Sequence, residues 1–187
     1  MSPQASARFL PLLLAGLILT GCGPGRDVAP SPLSSPYRNA PDGGFAYRVP
    51  PGWFDASADS QARGHAVLLV RNDYGATIAV DEVRLDDAAR SELRRNGILP
   101  AAQLLLSLTS WEHHAVLTTA PHIVDLRDRQ GCRYSMVSGN AEDTLDVTVV
   151  ETKGRLFAVN VLVSGRGATE QGSLRLVRES FLGTVRW

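Results

Sequence analysis

The stretch TLDVTVVETKGRLFAVNVLV, residues 144–163, reads as two strands and the turn that joins them. Leu145, Val147 and Val149 alternate with Thr144, Asp146 and Thr148, the period-two pattern of a strand with one apolar face. Lys153-Gly154 interrupts the pattern where a two-residue hairpin turn belongs, so strands are predicted over 144–152 and 155–164. A hairpin fixes the two strands as antiparallel, because parallel neighbours need a crossover of a dozen or more residues.

Upstream, HAVLLVR (65–71) and ATIAVDEVR (76–84) flank the turn residues Asn72-Asp73-Tyr74-Gly75 and form a second hairpin. Runs 115–126 and 131–138 supply two more strands. Phe45, Tyr47 and Val49 share one face of a short strand that ends at Pro50-Pro51-Gly52-Trp53, since proline cannot donate to a ladder. Asp86 or Asp87 caps a helix running through Asn96, with Ala89 and Leu93 on one face. Pro100 opens another helix, whose Leu104, Leu108 and Trp111 fall at i, i+4 and i+7 and mark its apolar face. A closing helix over about 169–182 turns Leu174, Val177 and Phe181 inward. Helices that flank hairpins without interleaving them predict an α+β fold, an antiparallel sheet between helices.

The amino-terminal end is of another kind. MSPQASAR carries one positive charge, and the eleven residues Phe9–Leu19 follow it. As a helix they reach about 16 Å, roughly half the hydrocarbon core of a bilayer. That length fits the apolar region of a signal peptide and not a membrane span. The run ends in Leu19-Thr20-Gly21-Cys22, which resembles the signal of bacterial lipoproteins: an aliphatic residue, two small residues and a cysteine. The resemblance implies recognition through Leu19, Thr20 and Gly21, cleavage before Cys22, and lipid on the Cys22 sulfur. The chain then divides into a signal peptide (1–21), a lipidated cysteine with a flexible tether (22–44) and a globular domain (45–187). Residues 23–44 hold five prolines, four glycines and three serines, a composition that buries too little surface to offset its ordering entropy. Lipid on Cys22 anchors the protein to a membrane without spanning it. Gly23, standing where some enterobacterial lipoproteins carry a retaining aspartate, points by the same analogy to the periplasmic face of the outer membrane.

With Cys22 acylated, Cys132 has no partner in the chain, which excludes a disulfide scaffold. Formal charge is zero, and loss of residues 1–21 leaves 18 basic against 19 acidic groups. That balance excludes nucleic-acid binding driven by counterion release, and the chain has no polybasic run for anionic lipid.

FAYRVPPGWF, RNDYGATIAV, the helical middle, the 144–163 hairpin and the terminal LRLVRESF together resemble the PsbP-like fold over residues 45–183. That superfamily includes PsbP, the DcrB-like envelope lipoproteins, a nuclear-import factor, and chaperones that hold transmembrane segments of secreted toxins. The resemblance implies an α/β/α sandwich and protein binding without shared catalytic residues.

No catalytic or cofactor-binding constellation emerges from the residues. Adjacent His113 and His114 diverge on a helix, where metal ligands want i, i+4 spacing; His114, His122 and Asp125 meet only if the chain bends between them. Cys132, in QGCRYSMV, reads as a small buried apolar side chain. The segment Gly165–Ser173 precedes a helix, but Ser173 stands where a phosphate loop needs lysine and Glu170 repels phosphate. Asp86-Asp87 and Glu142-Asp143 lie where helix caps and turns account for them. Trp53 reads as a core plug, and Trp187 either as a core residue or as a contact for a partner. Two functions are therefore expected. The first is a non-enzymatic envelope lipoprotein that binds a protein partner as an accessory or assembly factor. The alternative is a periplasmic sensor or carrier for a small ligand or metal, with an apolar pocket near His114, His122 and Cys132.

Overall fold

The computed structural model describes residues 35–41, 43–59, 64–113, 115–138, 143–164 and 170–187, without the side chains of 111–113 and 170–174. Leu19, Thr20, Gly21 and Cys22 lie outside the described residues.

Two short strands, β1 (Arg38–Asn39) and β2 (Ala46–Tyr47), pair as a ribbon. Next come β3 (Trp53–Asp55), β4 (Val67–Arg71) and β5 (Ala76–Val83), then helices α1 (Asp87–Asn96) and α2 (Ile98–His113). Strands β6 (Val116–Leu126), β7 (Arg129–Val137), β8 (Asp143–Thr152) and β9 (Arg155–Ser164) precede the closing helix α3 (Glu170–Thr184). Seven strands form one antiparallel sheet in the order β3-β4-β5-β9-β8-β7-β6. The expected 144–163 hairpin is β8–β9, paired from Asp143↔Ser164 to Thr152↔Arg155. Its turn residues Lys153 and Gly154 have φ of 50° and 75°, the two left-handed conformations of a type I′ turn.

Both faces of the sheet are packed. On one, Leu93 of α1 and Ala102 of α2 meet Cys132, Tyr134, Met136, Val147, Val149, Leu156 and Ala158. On the other, Phe181, Leu182 and Val185 join Phe45, Tyr47 and Val49 over Leu69, Ile78, Val80, Phe157, Val159 and Val161. Each of these fully buried large side chains contributes about 1.5–3 kcal/mol. The result is the expected α/β/α sandwich. Asp86 caps α1 by accepting from the Ala89 amide, and Gly97 ends it with its N–H on the Leu93 carbonyl.

Three details differ from the sequence reading. First, Leu104 and Leu108 face outward, 62% and 52% exposed, while Ala102 with Leu99, Leu105 and Leu106 meets the sheet. The helix starts at Ile98, so Pro100 sits in the first turn, where its missing N–H costs nothing. ILPAAQLLLSL is apolar on nearly every side, and small Ala102 lets the backbone approach the sheet.

Second, Phe45, Tyr47 and Val49 are buried together as expected, but only Ala46–Tyr47 is strand, and it lies outside the main sheet. Third, structure begins earlier than Phe45. The Ser35 hydroxyl donates to the Val49 carbonyl at 2.8 Å, Arg38 pairs with Asp55 at 3.0 Å, and Ala40 is buried. The Tyr37 ring lies between the guanidinium groups of Arg48 and Arg186, at 4.3 and 3.8 Å. Each such contact is worth about 0.5–1 kcal/mol and helps offset the ordering of this proline-flanked segment. Tyr47, whose hydroxyl donates to Asp55 at 2.6 Å, has its pKa pushed up to about 12 by burial and by that carboxylate.

Trp187 is half-buried and packs against the core, 5.1 Å from Phe45 and 5.5 Å from Phe157 between ring centroids. Trp53 is buried, as a core plug should be.

Candidate functional site

Pairing across the sheet sets Val67, Val80, Val159, Thr148, Arg133 and His122 in one row. Halfway along, the row changes from apolar to polar. Its apolar half lies under α3 and the ribbon. Arg133 and His122 of the polar half line a cleft of about 530 Å³ beside α3, together with Ser135, Asp146, Arg175, Arg178 and Glu179 among others.

Burying a charge there requires an answering charge. Arg178, with its side chain 8% exposed, pairs with Asp146 and donates to Glu179 at 3.0 Å. Arg133 donates to the same Glu179 oxygen at 3.0 Å and to the Thr148 hydroxyl at 3.2 Å, and Ser135 donates to Asp146. Burial pushes the Glu179 carboxyl up, but the hydrogen bonds and charges of Arg178 and Arg133 outweigh it and hold the group below its ordinary value. Burial, together with the nearby Arg178 charge, lowers Arg133. Among the described residues, each guanidinium in this network already has an opposing carboxylate.

A second cleft, of about 570 Å³, opens on the opposite face, where α2 does not extend over β4 and β5. Leu68, Ala79, Leu145 and Leu162 give it apolar walls. Its polar group is assembled from three distant parts of the chain. Asp81 on β5 accepts from His65 Nδ1 at 2.5 Å and from Asn160 Nδ2 at 2.7 Å. Asn160 is on β9, which pairs with β5 and so sets the two side chains together. Asp143 lies at the same cleft, and no lysine or arginine lines it among the described residues.

One edge of the sandwich exposes several large apolar side chains among polar ones. Leu104 and Leu108 of α2, with Val116, Leu117 and Ile123 of β6, are each at least 42% exposed. They are five of the eight exposed large apolar residues described. Among the described residues β6 closes the sheet on that side and pairs only with β7, with irregular register around Thr119.

The grouping of His114, His122 and Cys132 does not form as a described site. His114 lies outside the described residues, as does the segment 165–169. His122 contacts the Ala120 carbonyl at 3.0 Å and lines the cleft beside α3. Cys132 is fully buried in the core under α1 and α2, and burial raises its thiol pKa. Among the described residues no three His, Cys, Asp or Glu side chains are placed to share a metal ion.

Asp81, Asn160, Asp146 and Arg178 were not singled out by the sequence reading. The available signal was a polar residue inside an apolar run, as Asp81 in ATIAVDEV and Asn160 in LFAVNVLV. Arg178 shares the inner stripe of α3 with Val177 and Phe181.

No family model and no curated protein sequence matches the chain. Solved structures do. The solution structure of cyanobacterial PsbP (CyanoP) from Synechocystis matches with a TM-score of 0.60 and 14% identity, covering 90% of this chain and 98% of that one. The Ran-binding protein Mog1p of Saccharomyces cerevisiae matches with a TM-score of 0.51 and 14% identity, covering 82% of this chain and 96% of its own. A mutant of Mog1 matches with a TM-score of 0.54 and 12% identity over the same shares. At these identities the likeness is one of fold, and the chain has the PsbP-like fold.

Proposed function

We propose that the chain is a lipid-anchored envelope protein that acts without catalysis, binding a protein partner at the edge formed by α2 and β6. One observation carries this reading: five large apolar side chains, Leu104, Leu108, Val116, Leu117 and Ile123, stand exposed on that edge. A helix and an edge strand with this exposure lose apolar surface to water only by docking against another molecule. The sandwich has the fold of Mog1p, which is described as Ran-binding, so protein binding is an activity this architecture accommodates. The anchor rests on Leu19-Thr20-Gly21-Cys22, and Gly23 supports, by analogy, the periplasmic face of the outer membrane as the site where the domain acts as an accessory or assembly factor.

A photo-crosslinking residue at position 108 or 117, tested in intact cells, checks the surface, with position 74 on the β4–β5 turn as the comparison. One dominant envelope protein should be trapped from 108 and 117 and not from 74. Equal trapping at all three, or lipid-associated background alone, sinks the reading. The same cells carrying Cys22→Ser separate the two parts of the proposal: the anchor predicts loss of membrane retention, whatever the crosslinks show.

A further inference from the structure

We infer that the cleft over β4, β5 and β9 is a binding site for a small primary ammonium ion with an apolar body. The inference is independent of the partner surface on α2 and β6.

It follows from counting donors and acceptors. Ionised Asp81 can only accept, so His65 Nδ1 must carry the proton in their 2.5 Å contact. In the neutral ring this leaves Nε2 as an acceptor. Asn160 spends an Nδ2 hydrogen on Asp81 at 2.7 Å, and its carbonyl oxygen remains. A carboxylate offers about four lone-pair sites, of which these two bonds use half. The three side chains thus consume donors among themselves and leave a surplus of acceptors.

Charge points the same way. Asp81 lines one end of the cleft and Asp143 the other, paired with Ala158 and Ser164 of β9, so a small ion at Asp81 meets that carboxylate alone. No lysine or arginine lines the cleft among the described residues. A primary ammonium brings three N–H donors and one positive charge, which the acceptor surplus lacks. Leu68, Ala79, Leu145 and Leu162 then take an alkyl or aryl body, and about 570 Å³ is ample for a small one.

The test uses the full chain in neutral detergent with three probes of one shape: n-butylammonium, butan-1-ol and butyrate. Calorimetry and amide chemical shifts are read together. Butylammonium should bind more tightly than the alcohol, perturb amides of residues 77–81 and 158–162, and lose about tenfold or more in affinity in Asp81→Asn. Butyrate binding as tightly as the amine overturns the inference, as do shifts confined to other strands. Unchanged amine affinity in a folded Asp81→Asn chain overturns it too. The probe series on the unmodified chain decides the matter if that variant fails to fold.

Discussion

On the α3 side of the sheet Arg178 and Arg133 are held by Asp146 and Glu179, charge against charge. On the opposite side Asp81 is held by Asn160 and His65, an amide and an imidazole. The first cluster closes a gap between a helix and a sheet, and its ionic hydrogen bonds are spent within the protein. The second leaves a carboxylate in an open cleft with acceptors to spare. Two polar clusters of similar size on one sheet thus have different uses, one structural and one available to a ligand.

The largest effect that tests this contrast is expected from Asp146→Ala. It takes from Arg178, whose side chain is 8% exposed, one of its two carboxylate partners and leaves Glu179 as the other, and should cost about 2 kcal/mol in urea unfolding. Replacing both partners, Asp146→Leu with Arg178→Met, should recover most of that loss. If the double variant is as unstable as the single one, the cluster does more than answer its own charges.

Glu179→Gln should cost less, about 0.5–1 kcal/mol, because its side chain is 45% exposed and water screens the pair. The Glu179 carboxyl is held below its ordinary value of 4.5, so the folded state favours the ionised form more than the unfolded chain does. Its contribution is present above that ordinary value and is lost as pH falls through the folded one. The stability gap between the native chain and Glu179→Gln should therefore narrow as unfolding is measured from pH 6 down into this acid range. A gap independent of pH would remove Glu179 from the ionic network.

The smallest effect belongs to Asp81→Asn, about 0.5 kcal/mol or less, since neither His65 nor Asn160 is left as a buried unanswered charge. A loss as large as that of Asp146→Ala would mean that both clusters are structural, and the contrast would fail.

The hairpins were legible because their signals are local. Alternation in 144–152 and the Lys153-Gly154 turn need no knowledge of the rest of the chain, and the same holds for the Asp86 cap. The face of α2 was not, because leucines surround that helix and only the shape of the sheet beneath selects Ala102. Alternation also misleads about what polar means: Thr148 falls on the polar side of its strand and is nevertheless fully buried, facing Arg133. The cleft group was illegible for a simpler reason. His65 and Asp81, 16 residues apart, meet across the β4–β5 hairpin, but Asn160 stands 79 residues further on and joins them only because β9 inserts beside β5. No spacing rule reports a contact made by strand order.

The ribbon at the start of the domain has a mechanical consequence. Ala46 and Arg186 exchange two backbone hydrogen bonds, and Tyr37 is clamped between Arg48 and Arg186, so the incoming chain is sewn to the outgoing one. Tension arriving through the residues before Ser35 loads this short seam and not the ten-residue ladder of β8 and β9. The seam acts as a fuse. When it parts, the 15 residues 35–49 can pay out up to about 50 Å of chain before any strand of the main sheet bears force.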